Sequence, residues 1–251
     1  MKNQLNVINE QQRHFNGFSR KTLKFLKDLE ANNNKIWFES HRSDYEKHIL
    51  QPLRYLVTDL SDFMLDIDSC FEITPAVNKT ISRIYRDTRF SKDKSPFRST
   101  VWITFKNRSK DWTTRVCGYF FELSVNSYRY GMGFYDAAPA IMRKFREMID
   151  ENPKEFNKTI SFFTKQHTFI LEGEKYKRII DKTKSEKIQH WYQRKNMYLV
   201  CNRKIDETLF NKKLVDDLIT GFNTIAPLYQ YFQKVIRLAL EPERKTKYIH
   251  E

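Results

Sequence analysis

Glycine and proline are scarce in this chain of 251 residues, at 6 and 7, which excludes collagen-like and low-complexity architecture. Cysteine is scarcer still. Cys70, Cys117 and Cys201 are odd in number and widely spaced, so they form neither a disulfide framework nor a metal-binding signature. Cys117 and Cys201 lie in apolar, strand-like runs and read as buried thiols, and a reducing cytoplasm is the default compartment. No segment approaches the ~18 uninterrupted apolar residues of a membrane span. The opening "MKNQLNVINEQQRHFNGFSR" has no apolar h-region, so neither a membrane partner nor a signal peptide is expected. Also missing are a Gly-rich phosphate loop, an H-E-x-x-H helix, a nucleophile elbow and a C-x-x-C pair. No particular cofactor or metal is implied.

What the chain does have is aromatic side chains and positive charge. Its 20 Phe and 13 Tyr, within 40% apolar content, supply an aromatic-rich core, and a chain this long buries roughly three quarters of its unfolded surface. The net charge of +14 is unevenly placed. Residues 79–115 hold 11 Lys+Arg against 3 Asp+Glu, and residues 151–204 hold 13 against 6, so these two segments carry +8 and +7 while the rest is near neutral. Such a field concentrates anionic partners.

Periodicity divides the chain. "FSRKTLKFLKDLEANNN" reads as a helix, with Ser19 as N-cap, Phe18 as a staple and Asn32 to Asn34 as the stop. Helical spacing continues through Trp37, Phe38, Tyr45, Ile49, Leu53, Leu56, Leu60 and Met64, where Pro52 kinks the helix or begins a new one. The period then falls to 2 over residues 81–90, 100–106 and 115–127, with "RYGMGFY" as a fourth strand or a turn in which Gly131 and Gly133 permit close backbone approach or a bulge. Cys117, Tyr119, Phe121, Leu123 and Val125 mark one strand face. From Asp136, a candidate cap, a helical stripe runs through Ile141, Met142, Phe145, Met148 and Ile149. "HTFIL" and "MYLVCNRKI" read as strands around a lysine-rich connection, and a closing amphipathic helix is expected to break at Pro227. The expected fold is α+β: an antiparallel, meander-like sheet from about 80–135 packed against N-terminal and C-terminal helices. One domain over 18–236 is expected, after a polar lead-in (1–17) and before a C-terminal tail (237–251).

The densest chemistry is "RIYRDTRFSKDKSPFR", residues 83–98. As a strand, 81–90 would place Arg83, Tyr85, Asp87 and Arg89 on one face, with Asp87 and Arg89 about 6.6 Å apart. Asp87 can then hold one guanidinium by a bidentate bond and leave another fork free for phosphate or carboxylate. Arg83, Arg86, Arg89 and Lys94 thus become candidate ligand-binding residues for a small phosphorylated or carboxylated anion. The competing reading is a structural ion-pair lattice with Glu39, Asp44 or Glu46. A lattice predicts unfolding on Asp87→Ala; a pocket predicts a retained fold and a lost ligand on Arg89→Ala.

Arg83, Arg86, Asp87, Arg89, Phe90, Asp93 and Lys94 also stand in the spacing R-x-x-R-D-x-R-F-x-x-D-K. With "NNNKIWFESHRSDY", "GYF", "GMGFY" and "RKFREMI", this resembles the bacterial and fungal family catalogued as domain of unknown function 2461, over most of the chain. Phe97 departs from the tyrosine expected there, so a phenolic hydroxyl has no role at that position. The resemblance brings no reaction, ligand or cofactor.

Three further groups are candidate acid–base residues: His41, Asp87 and Glu122. His41 shares a helix face with Trp37, Tyr45 and His48 and is a candidate as a histidine general acid or base. His41 and His48 are two turns apart, about 10.5 Å, too far to hold one metal ion. Glu122 interrupts a strand face near arginines, where it is either a base or simply the wet side of the sheet. Nucleic acid is the alternative partner, through segments 79–115 and 151–204, with Tyr85, Phe90, Trp102, Trp112, Trp191 and Tyr192 as stacking platforms. An acidic protein partner is the third reading.

Overall fold

The computed structural model describes residues 14–108 and 116–246. It is an α+β fold with a five-stranded antiparallel sheet in the order β1-β2-β3-β5-β4. The strands are β1 (Val101–Lys106), β2 (Gly118–Leu123), β3 (Ser127–Phe134), β4 (Ile170–Glu172) and β5 (Met197–Lys204). The sheet is therefore wider than a meander over 80–135. The two strands from the lysine-rich region join it, with Ile170, Leu171 and Glu172 paired to Val200, Leu199 and Tyr198. Within the described residues the chain forms two compact units, one of residues 14–108, 120–130 and 202–220, the other of 116–119, 131–201 and 221–246.

The first unit begins with α1 (Arg20–Ala31), whose start is a reciprocal capping box: Thr22 N–H donates to the Ser19 hydroxyl and Ser19 N–H to the Thr22 hydroxyl. Phe18 is buried and its ring stacks on Phe121, 5.8 Å away. Next come α2 (Lys35–Ser40), α3 (Arg42–Tyr45), a π-helical turn (Glu46–Leu50) and α4 (Gln51–Ile67). Pro52 explains the π turn. It has no N–H to give the carbonyl of His48 four residues back, and Gln51 N–H reaches Glu46 O five residues back instead. The His48 carbonyl is satisfied from outside its helix: the fully buried Thr22 hydroxyl of α1 donates to it at 2.7 Å. One proline thus widens a turn and ties two helices together.

Residues 81–90, read above as a strand, are not one. Ile81 and Tyr85 make only isolated antiparallel bridges, to Ile103 and Phe97. Arg86 N–H donates to Pro96 O and Arg98 N–H to Ile84 O, so residues 84–98 form a short hairpin. Beyond Arg86 the ladder stops, because side chains capture the amides that a strand would need. Strand β2 also ends early: Ser124 N–H and its hydroxyl both donate to Ser127 O, which puts Val125 in a turn rather than on the Cys117–Leu123 face.

The second unit packs α5 (Pro139–Glu151), α6 (Pro153–Thr159), a 3-10 turn (Ser161–Lys165), α7 (Glu186–Tyr192) and the larger part of α8 (Lys213–Thr246). The α5 stripe Ile141, Met142, Phe145, Met148 and Ile149 is buried throughout. Its N-cap is Ala138, not Asp136, with Pro139 in the first turn. Helix α8 does not break at Pro227. Phe222 and Ile225 before the proline and Leu228, Tyr229 and Phe232 after it are all buried, and that shared burial outweighs the ~3 kcal/mol a proline costs a helix interior. The helix continues to Thr246, into the stretch expected to be a tail. At Gly131 a Cβ would lie 1.9 Å from Leu199 O, and at Gly133 2.4 Å from Met197 O. Both glycines serve the close approach of β3 to β5. Among the described residues no helix is long and apolar enough to cross a membrane.

Candidate functional site

The hairpin is seated on the turn between α1 and α2, where three successive asparagines do three jobs. Asn32 closes α1, its N–H donating to Asp28 O, and the Asn34 side chain caps α2 by accepting from Trp37 N–H at 3.0 Å. Asn33 reaches across to the hairpin: its Oδ1 accepts from Phe97 N–H at 2.9 Å and its Nδ2 donates to Phe97 O at 3.0 Å. One amide side chain thus pairs with both backbone groups of Phe97, as a neighbouring strand would. The Phe97 ring is 1% exposed, stacked on Phe38 at 4.2 Å and next to Tyr85 at 5.0 Å. With this ring buried, the missing phenol at position 97 is a packing feature.

Above that seat the tip is tied by short-range ion pairs. Asp87 accepts from Arg89 Nε at 3.0 Å, Nη2 at 2.7 Å and backbone N–H at 3.2 Å. Arg86 donates across the tip to Asp93, to the Ser95 hydroxyl at 2.8 Å and to the Ser91 hydroxyl at 3.5 Å. Lys94 Nζ caps the Thr88 carbonyl at 2.8 Å. The Ser95 hydroxyl and amide, with Arg86, hold the Asp93 carboxyl well below the usual carboxylate range. Arg89, chiefly through its side chain, holds Asp87 down to about 2. Both carboxylates are ionised at neutral pH.

These pairs differ from the lattice expected with the second helical region. Glu39 pairs with Arg42, Glu46 with Arg54, and Asp44 lies 3.9 Å from His48. The hairpin's acids are instead its own. Arg83 is exposed and makes no hydrogen bond or ion pair within 4.0 Å of its cationic group among the described residues, though its charge acts on Asp87.

Beside the hairpin is an open cleft of about 410 Å³, lined by Glu30, Asn33, Arg86, Asp93, Ser95, Phe97, Arg98, Ser99, Thr100 and Trp102. Of the predicted ligand-binding residues Arg83, Arg86, Arg89 and Lys94, only Arg86 lines it. Arg89 turns outward, 76% exposed, with its guanidinium 5.8 Å from the ring of Phe90. The second arginine of the cleft is Arg98, which the motif spacing did not include. Its guanidinium lies over the Trp102 ring at 4.8 Å and its Nε is 3.4 Å from Tyr85 O. The "SPFRST" run, a cation among three hydroxyls next to an aromatic, was the available signal.

The predicted acid–base residues are not brought together. His41 lies at the junction of α2 and α3 rather than within one helix. It stacks on Trp37 at 4.1 Å, and its Nδ1 donates to Trp37 O at 2.8 Å. Glu122 accepts two bonds from Arg129, at 2.7 and 3.2 Å, a cross-strand ion pair from β2 to β3. Neither residue, nor Asp87, lines the cleft. Among the described residues no group of three or more His, Cys, Asp or Glu side chains is placed to hold a metal. Of the stacking platforms, Trp191 and Tyr192 are buried; Trp112 lies outside the described residues.

The fold is α+β, and an open cleft beside its short basic hairpin mixes arginine, carboxylate and hydroxyl residues. The chain belongs to the family described as "Conserved hypothetical protein (DUF2461)", whose profile matches residues 21–231. No curated protein matches it.

Proposed function

We propose that the chain binds a small phosphorylated or carboxylated anion in the cleft walled by Arg86 and Arg98. The observation that carries this reading is that Arg86 and Arg98, from the two arms of one hairpin, line a single open cavity with Ser95, Ser99 and Thr100. A guanidinium fork matches the oxygens of phosphate or carboxylate, hydroxyls donate to the remaining oxygens, and the volume suits a metabolite-sized ligand. Glu30 and Asp93 line the same cleft, so its walls are of mixed sign. The ligand that fits best is therefore an anion that also carries a hydroxyl or amino donor, such as a sugar phosphate or a hydroxy acid. His41, Asp87 and Glu122 stand outside the cleft, and the reading is one of binding, with no proton-transfer step assigned.

Calorimetric titration of the full chain with inorganic phosphate, then with sugar phosphates and hydroxy-dicarboxylates, tests it. Arg98→Met should weaken binding by about tenfold or more, the effect of losing charge-assisted hydrogen bonds, while Arg89→Met should leave it unchanged. Silence across the panel, or binding indifferent to both Arg86→Met and Arg98→Met, would overturn the assignment.

A further inference from the structure

The lysine-rich connection between β4 and α7 is a built surface rather than a slack linker. Residues 174–180 are exposed without interruption, yet their backbone is held at several points. Lys175 bridges to Arg194, Tyr176 N–H donates to Gln193 O at 2.9 Å, and Glu174 N–H donates to the Asn196 side chain at 2.8 Å. Gln193 acts as a clamp: its Nε2 donates to Tyr176 O and Arg178 O, and its Oε1 accepts from Ile180 N–H at 3.0 Å. Beneath, Arg194 donates to Leu171 O and Gly173 O. The next turn is fixed as well, with Lys184 on Asp150 at 2.5 Å and Thr183 on Asp181.

On this fixed backbone two adjacent aliphatic side chains face water, Ile179 at 51% and Ile180 at 44% exposed. Lys175, Lys177, Arg178 and Lys182 flank them and make no ion pair among the described residues. A segment ordered at the cost of its conformational entropy, and holding apolar groups in solvent between cationic sequence neighbours, has the composition of an uncovered interface centre with a charged rim.

We propose that residues 174–187 are a docking surface for an acidic segment of a partner protein that carries an apolar side chain into the Ile179–Ile180 patch. Charge complementarity selects an anionic partner. Aliphatic anchors argue against nucleic acid, which needs π faces to stack on. The one aromatic residue of 174–187, Tyr176, already has Arg146 at 5.3 Å and Lys195 at 5.5 Å from its ring. Half-exposed isoleucines make a shallow patch; insertion among lipid tails calls for a protruding wedge. What remains is a peptide surface, with carboxylates for the rim and an apolar residue for the centre.

The test uses the full chain and four defined probes at one ionic strength: a twelve-residue Glu/Leu peptide, the same peptide with every Leu replaced by Ser, oligo(dT), and vesicles containing an anionic phospholipid. The Glu/Leu peptide should bind at least tenfold more tightly than its serine counterpart. Ile179→Ser/Ile180→Ser should remove that difference, and Arg178→Glu should weaken both peptides. Arg89→Met, in the hairpin but outside the cleft, should change neither. Circular dichroism melting should show both loop variants folded; if the isoleucine pair unfolds, the peptide preference in Arg178→Glu decides the matter, since it should persist there at lower affinity. Equal affinity for the two peptides, no binding of either, or tighter isoleucine-dependent binding to oligo(dT) or vesicles would overturn the proposal.

Discussion

The two basic segments carry nearly equal net charge and use arginine in opposite ways. In the hairpin, Arg86 and Arg89 face carboxylates a few residues away, at the surface, where water and salt screen the pairs. In the 171–194 region, Arg194 is 4% exposed and makes no carboxylate ion pair among the described residues, though the charge of Glu172 acts on it. Its guanidinium donates to three backbone carbonyls, Leu171 at 2.8 Å, Gly173 at 2.6 Å and His190 at 3.3 Å. Arg146 repeats the device from α5, donating to the carbonyls of Tyr192 at 2.9 Å and Arg194 at 2.6 Å. Burial pulls the Arg194 pKa below its ordinary value, yet a guanidinium stays charged. Arginine that ends on buried backbone carbonyls is architecture, because its removal leaves polar groups short of a donor. Arginine that ends on an exposed carboxylate forms a pair that water screens, and such a pair adds little to the fold.

The largest expected effect separates these uses. Arg194→Met should destabilise the fold by about 3 kcal/mol, since buried carbonyls left without a donor cost about 1–3 kcal/mol each. Urea unfolding at neutral pH measures it, with Arg89→Met, whose exposed pair is screened, as the reference that should move the midpoint far less. Equal midpoints for the two variants would erase the distinction between them.

How much of this was readable beforehand follows the range of the interactions involved. The α1 and α5 stripes and the Ser19 cap depend on residues three or four apart, and they were legible from spacing. So were Gly131 and Gly133, although the strand they admit, β5, lies some 70 residues further along, and nothing local announced that pairing. The 81–90 strand was misread because alternation alone ignores the two aspartates. Asp87 and Asp93 take the N–H groups of Arg89 and Ser95, and a captured amide cannot join a ladder. Arg98 went unnoticed because the motif ends at Lys94 while the cleft wall does not. Trp191 and Tyr192 looked like stacking platforms among lysines, but they belong to a helix that turns its aromatic side inward, with Trp191 edge-on to Phe156 and Phe163.

A smaller effect tests how the hairpin is seated. Asn33→Ala removes both hydrogen bonds to the Phe97 backbone, at about 1 kcal/mol each in a half-buried setting, so a loss of about 1–2 kcal/mol is expected by urea unfolding. Because Asn33 and Phe97 both line the cleft, the same variant should also loosen anion binding. Weakened binding with unchanged stability would mean that Asn33 meets the ligand and is not a structural tie. The reverse would mean that the cleft keeps its shape without it.

The smallest effect lies at the hairpin tip, where Asp87 titrates at about 2 against an ordinary 3.8. A folded-state pKa below the unfolded one means the ionised form is favoured by folding. Its contribution is therefore fully present above about pH 3.8 and is lost as the pH falls through about 2. Neutral-pH stability should thus be insensitive to protonation at this site. The direct measurement is the carboxyl ¹³C shift of Asp87 followed by NMR from pH 5 to 1.5, with an expected midpoint near 2. In Arg89→Met the midpoint should rise toward 3.8 but stop short of it, since the backbone N–H of residue 89 still donates at 3.2 Å. A midpoint that ignores Arg89→Met would show that the guanidinium does not hold the carboxylate in solution. The hairpin's cations would then be free of the pairing that distinguishes them from Arg194.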